Sequence, residues 1–124
     1  MALLHISTVG DKVLREKAKA VTEFNEELKQ LADDMAETMR AADGLGIAGP
    51  QVGVSLRIFV IDFGYLDFVK AEENGEKPKS AEFRPIAFIN PEITEKEGKI
   101  VYGEGCLSVP RYNADVERIG RAHV

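Results

Sequence analysis

The sequence lacks the cysteine pairs of disulfide-bonded proteins and the long apolar runs of membrane-spanning proteins. It contains one cysteine, two histidines and no tryptophan among 124 residues. One cysteine cannot form an internal disulfide, which fits a reducing compartment and predicts a cytoplasmic location. No apolar run approaches the length of a membrane-spanning helix, and the N-terminus lacks a basic-then-apolar signal pattern. These features argue against a secreted scaffold and against a membrane protein.

Positive charge is also in short supply. The formal net charge is -5 at pH 7, with 30% charged and 44% hydrophobic residues. Proteins that bind phosphate backbones do so with an excess of Lys and Arg, so we expect no direct nucleic-acid site. A chain of this length has room for one domain around one core, and we expect a single domain over residues 1–124.

The clearest helix is predicted over residues 25–42. Asn25 is a favourable N-cap residue, and Glu26 and Glu27 lie in the first turn, where the helix dipole favours negative charge. Apolar residues recur at spacings of three and four, which gives one stripe suited to a core. The stripe consists of Leu28, Leu31, Met35, Met39 and Ala42. Gly44 is expected to end the helix.

Strands are predicted further along the chain. Residues 56–62 are rich in β-branched and aromatic side chains, which favours a buried strand, and residues 86–90 predict a second strand. Residues 64–84 between them are rich in charge and turn-forming residues, so we expect a long surface insertion. Residues 92–102 predict a hairpin that turns at Glu97-Gly98.

The stretch from Gly44 to Gly53 carries four glycines and resembles a phosphate-binding loop at first sight. It lacks the Lys-Ser/Thr ending of a P-loop, and no strand and helix patterns flank it. Two interpretations remain open. The bare backbone either admits an extended ligand, with the polar side chain of Gln51 directed into that space, or forms a plain glycine-rich turn.

The single thiol lies in the stretch Glu104-Gly105-Cys106-Leu107-Ser108. A lone cysteine most often packs in a core, whereas a thiolate is also a nucleophile and a soft metal ligand. The adjacent glycine lets a metal or substrate approach closely. A cysteine nucleophile needs a partner histidine, and neither His5 nor His123 has supporting neighbours.

Taken together, the two stretches resemble the peptide deformylase family. Gly44 to Gln51 is similar to that family's Gly-x-Gly-x-Ala-Ala-x-Gln motif, with Gly49 in place of the second alanine. Glu104 to Ser108 matches its Glu-Gly-Cys-Leu-Ser motif without change. Smaller likenesses are Asp11, Leu14 and Arg15 in an Asp-x-x-Leu-Arg segment, and Asn90-Pro91 at a strand end.

The resemblance implies an α+β fold, with mixed or antiparallel strands packed around a helix. It implies a hydrolase that removes the N-formyl group from the initiator methionine of nascent polypeptides at the ribosome. The family's cofactor is a divalent metal, natively iron(II), with zinc or nickel as substitutes. One cysteine, two histidines and a water hold this metal, and Cys106 corresponds to the cysteine.

The resemblance also assigns roles in substrate binding and catalysis. In the family, the side chain at Gln51 and the backbone N–H at Leu107 polarise the formyl oxygen, as fixed donors do where negative charge develops. The remaining residues would bind the peptide substrate. Gly44, Leu45 and Gly46 would line the groove, Ile47 and Tyr102 would shape the methionine pocket, and Glu104 and Gly105 would complete the site.

A third family motif has no match in this sequence. It reads His-Glu-x-x-x-His or His-Glu-x-Asp-His on a C-terminal helix and supplies two metal ligands and the general base. Three explanations stay open: a piece of a longer enzyme, a catalytically silent peptide-binding module, or a partner chain that supplies the helix. The sequence ends in a strand-like pattern, which favours the first. We expect residues 1–124 alone to lack deformylase activity.

Overall fold

The computed structural model describes residues 3–76 and 82–123. Two α-helices and five strands form within these ranges. The helices are α1 (Glu26–Ala41) and α2 (Phe63–Glu73), and the strands are β1 (Gly46–Ala48), β2 (Ile58–Asp62), β3 (Pro85–Ile89), β4 (Glu95–Cys106) and β5 (Val109–His123). β1, β2 and β3 form an antiparallel sheet in that order, and β4 pairs with β5 in a separate antiparallel hairpin. The predicted α+β fold is confirmed.

Helix α1 forms where the apolar periodicity predicts it and covers the three-stranded sheet. The Asn25 side chain accepts a hydrogen bond of 3.1 Å from the Leu28 N–H, which caps the first turn. Met35 and Met39 are completely buried, and they pack with Ile47, Ile58 and Val60 of the sheet. No helix in the described ranges combines the length and apolar character needed to cross a bilayer.

The end of α1 differs from the prediction by one residue. Asp43, with φ of 55°, adopts the left-handed conformation that often ends a helix, one residue before Gly44. The Asp43 N–H donates to the Arg40 carbonyl, and the Gly44 N–H donates to the Met39 carbonyl. This is the Schellman pattern of helix termination. An added Cβ at Gly44 would lie 2.8 Å from Leu107 Cδ1, so the Leu107 side chain packs directly against this glycine and would have to move.

The glycine-rich stretch is not a plain turn. Its residues Gly46–Ala48 form β1 and pair with β2, with Ile47 opposite Val60. A 3-10 turn over Gly49–Val52 follows, and Gly53 closes it with φ of 81°. The glycines therefore allow a tight strand-to-turn transition beside the core.

The prediction of a surface insertion over residues 64–84 was wrong in leaving out a helix. Most of its first half is helix α2, which begins directly after β2. The Asp62 side chain caps this helix by accepting hydrogen bonds from the N–H groups of Gly64 and Tyr65, at 3.0 and 3.2 Å. The apolar residues of α2 are poorly segregated to one face of the helix, so the sequence shows no clear helical periodicity here. Residues 77–81 lie outside the described ranges.

The hairpin predicted to turn at Glu97-Gly98 was also wrong. β4 runs without reversal through Gly98, whose φ is 68°. Glu97 pairs with Arg121 and Lys99 pairs with Ile119, so the partner strand continues past this glycine on both sides. The chain reverses instead at Leu107 and Ser108, between Cys106 and Val109.

Candidate active site

The two motif stretches meet in the structure at Gln51 and Cys106. The Nε2 atom of Gln51 lies 3.8 Å from the Sγ atom of Cys106, within hydrogen-bonding distance for sulfur. These residues are 55 positions apart in the sequence. The fold thus brings the thiol beside the end of the Gly44 to Gln51 stretch.

Cys106 is held at the end of a hairpin strand. It is the last residue of β4, and it pairs with Val109 across the two-residue turn. The next pair along β4 joins Gly105 to Asn113. Between these two pairs β4 advances by one residue and β5 by four, so β5 carries extra residues here. This bulge separates the turn from the regular ladder and presents the Cys106 thiol to solvent.

Gln51 is held by its own 3-10 turn. Its Oε1 atom accepts a hydrogen bond of 2.9 Å from the Ala48 N–H, and its Nε2 atom donates to Ser108 Oγ at 3.4 Å. Its backbone carbonyl accepts from the Ser7 N–H at 2.6 Å. The carboxamide nitrogen is thereby directed toward the turn that carries Cys106.

The predicted groove residues lie along β1 and the approach to it. Leu45 is partly exposed, and its carbonyl accepts a hydrogen bond of 2.9 Å from the Asp62 N–H. Gly46 is exposed and pairs with Ile61 of β2. In the described part of the chain, β1 forms an edge of its sheet. An edge strand is the kind of surface on which an extended peptide can add a further strand.

The two predicted pocket residues have different positions. Ile47 is only 2% exposed and belongs to the core cluster beneath α1. The Tyr102 side chain lies outside the described residues, although its backbone pairs with Val116.

Glu104 is engaged by a residue that the sequence did not single out. Its carboxylate accepts from Arg118 Nε at 2.9 and 3.1 Å, and Arg118 Nη2 also donates to Oε1. The hydrogen bonds from this guanidinium lower the pKa of Glu104, although partial burial opposes the shift. Arg118 lies opposite Ile100 and Glu104 lies opposite Ala114, so the pair is a diagonal contact along the hairpin. No local sequence spacing predicts it.

Comparison with known proteins gives the same family over nearly the whole chain. The sequence model of the polypeptide deformylase family matches residues 3–124. A peptide deformylase from Dictyoglomus turgidum is 44% identical over 119 residues, which is 96% of this chain and 66% of that protein. The chain belongs to the peptide deformylase family. It thus spans about two thirds of the length of this relative.

Solved structures of the family share the fold. The crystal structure of the Thermotoga maritima peptide deformylase superposes with a TM-score of 0.80 and 41% identity, covering 97% of this chain and 70% of that one. A Synechococcus elongatus peptide deformylase in complex with actinonin gives a TM-score of 0.74 and 37% identity, with 94% and 54% covered.

Peptide deformylases are metalloenzymes, so the donor set was tested for a metal site. Within residues 3–76 and 82–123, no three His, Cys, Asp or Glu side chains converge to hold a metal ion. Catalytic metal sites of this kind take three protein ligands. The thiol of Cys106 is one suitable donor, and the described residues do not by themselves fit a catalytic divalent metal.

Proposed function

We propose that this chain supplies the peptide groove, the oxyanion donors and one metal ligand of a peptide deformylase. The reaction is hydrolysis of the N-formyl group from the initiator methionine of nascent polypeptides. The observation that carries this proposal is the 3.8 Å contact between Gln51 Nε2 and Cys106 Sγ. It joins the two stretches that match the family's motifs.

The role proposed for Gln51 follows from how its carboxamide is oriented. The Ala48 N–H holds Oε1, so Nε2 is the group that faces the space beside the thiol. A formyl oxygen bound there would gain negative charge as water attacks the carbonyl carbon. Gln51 and the Leu107 backbone N–H would stabilise that charge as preorganised donors.

The substrate peptide is proposed to lie along the edge of β1. Gly44, Leu45 and Gly46 are proposed to line this edge, where Leu45 and Gly46 are exposed, which suits strand addition by an extended peptide. Glu104 and Gly105 lie on strand β4, next to Cys106. The exposed thiol would then stand at the formyl end of the peptide.

Cys106 is proposed to be one of the metal ligands, because iron(II), zinc and nickel can all be bound by a thiolate. In the family, the other ligands and the general base belong to the third motif, which this sequence does not contain. Deformylation therefore requires that motif to be supplied, and residues 1–124 alone are expected to be inactive. The cytoplasmic location remains a prediction.

Peptide binding tests the groove without requiring turnover. Formyl-Met-Ala-Ser and its unformylated counterpart should be titrated into the ¹⁵N-labelled chain, with amide shifts followed by NMR. We expect shifts at Gly46, Gln51 and Leu107, larger for the formylated peptide. Shifts confined to other regions, or none at saturating peptide, would contradict the proposed groove.

Activity is tested by supplying the third motif in trans. A C-terminal fragment of the Thermotoga maritima relative, chosen to contain that third motif, should be mixed with this chain and loaded anaerobically with nickel(II). We expect formyl-peptide hydrolysis from the mixture and from neither part alone. Cys106→Ser should abolish it. Equal turnover by Cys106→Ser would exclude the thiol as a required ligand.

A further inference from the structure

Ser108 is a buried polar residue to which the family resemblance assigns no role. It is 4% exposed and follows Leu107 in the turn between β4 and β5. A buried hydroxyl is normally hydrogen-bonded, because leaving it unpaired costs its full desolvation free energy. Here the Ser108 Oγ atom accepts from Gln51 Nε2 at 3.4 Å.

The Gln51 carboxamide has two ends that differ only in hydrogen-bonding character. The Ala48 N–H can donate only to an oxygen, which fixes Oε1 on that side at 2.9 Å. Nε2 carries two hydrogens, and Ser108 Oγ offers an acceptor for one of them. The second hydrogen is then left for the space beside Cys106 Sγ.

The backbones of the two residues are held together as well. In the extended N-terminal segment, the Ser7 N–H donates to the Gln51 carbonyl at 2.6 Å and the Val9 N–H donates to the Ser108 carbonyl at 2.8 Å. Ser7 itself is 5% exposed. The separation between the 3-10 turn and the hairpin turn is therefore fixed by a third piece of chain.

We propose that Ser108 is a positioning residue that orients the Gln51 carboxamide. Its hydroxyl holds one Nε2 hydrogen, so that the other points to the substrate oxygen. Ser108 acts through Gln51 and does not itself touch the reacting atoms. The catalytic consequence rests on the proposed deformylase function, whereas the orientation itself can be measured without turnover.

The orientation is tested by NMR on the ¹⁵N-labelled chain. The Gln51 side-chain signals are assigned by their loss in Gln51→Leu. In the unsubstituted chain we expect an NOE from one of the two Nε2 protons to Ser108 Hβ. Absence of this NOE would overturn the proposal.

Variants separate positioning from general loss of packing. Ser108→Ala should increase the mobility of the Gln51 side-chain amide in ¹⁵N relaxation, and Ser108→Thr, which keeps a hydroxyl, should restore it. Thr38→Val is the matched control, because Thr38 is a buried hydroxyl residue that bonds to Asp34 and Leu4 instead. Unchanged Gln51 relaxation in a folded Ser108→Ala protein would refute the assignment.

Turnover in the mixed assay gives the catalytic consequence. Ser108→Ala should lower kcat about two- to tenfold, the loss typical of one hydrogen bond between neutral groups, with KM nearly unchanged. Ser108→Thr should recover most of it. If the mixture shows no turnover even with the unsubstituted chain, the deformylase proposal fails, while the NMR result still decides the orientation.

Discussion

The side chain of Asn90 is hydrogen-bonded to both backbone polar groups of Val21, 69 residues earlier in the chain. Asn90 Oδ1 accepts from the Val21 N–H at 2.7 Å, and Asn90 Nδ2 donates to the Val21 carbonyl at 2.9 Å. Asn90 directly follows β3 and has φ of 52°, a conformation that asparagine tolerates better than most residues. The backbone of Asn90 therefore turns away at the end of β3, while its side chain anchors the N-terminal segment at Val21.

We expect Asn90→Ala to lower the free energy of unfolding by about 2–5 kcal/mol. The substitution leaves the Val21 groups unpaired, at about 1–3 kcal/mol, and places alanine in a left-handed conformation, at about 1–2 kcal/mol. Asn90→Gly should recover the second contribution only, because glycine adopts this φ without strain. Urea unfolding of the three proteins measures both differences. Equal stability of the two variants would contradict the assigned backbone contribution.

Gly49 is the position at which the chain departs from the family motif, where alanine is usual. A Cβ here would lie 2.8 Å from the Val54 carbonyl oxygen and 2.9 Å from that of Leu56. Both contacts are backbone atoms that cannot rotate away. We expect Gly49→Ala to destabilise the protein by about 1–3 kcal/mol, as overpacking typically does. A thermal melt with unchanged Tm would show that residues 54–56 shift freely.

Met39 is predicted to be among the most sensitive core positions. It has no exposed surface, packs in the cluster beneath α1 and lies close to Gly44. Met39→Ala should cost about 2–5 kcal/mol through lost burial and the cavity left behind. Ile93→Ala, at a side chain that is 55% exposed, is the control and should cost far less. Similar denaturation midpoints for the two variants would contradict the described core.

Gln51→Leu should lower kcat in the mixed assay by about 10²- to 10³-fold, because it removes one oxyanion donor. This loss corresponds to about 2.7–4 kcal/mol of transition-state stabilisation. Bound metal should remain, since no ligand is changed. Gln30→Leu is the matched control, because Gln30 is exposed on α1 and its Nε2 atom donates to Asp34 Oδ1 instead. Full activity of Gln51→Leu would remove Gln51 from the mechanism, and parallel loss of metal would point to a wider disruption of the site.

Local patterns were sufficient for the elements whose apolar residues repeat at a fixed spacing. α1 followed from its three-and-four periodicity and its Asn25 cap, and β2 and β3 followed from β-branched and aromatic content. α2 was missed because its polar and apolar residues are poorly separated. Its start depends on the Asp62 cap, which is visible only once β2 is seen to end there.

The sequence by itself determined the family resemblance and the chemistry of Gln51 and Cys106, because side-chain type and motif order are local properties. Only the tertiary structure decided that Ser108 accepts from Gln51 and that Arg118 pairs with Glu104. Both contacts depend on strand register and on backbone hydrogen bonds between distant segments. Such pairings gain their free energy only after the chain has closed long loops, so no short stretch of sequence specifies them.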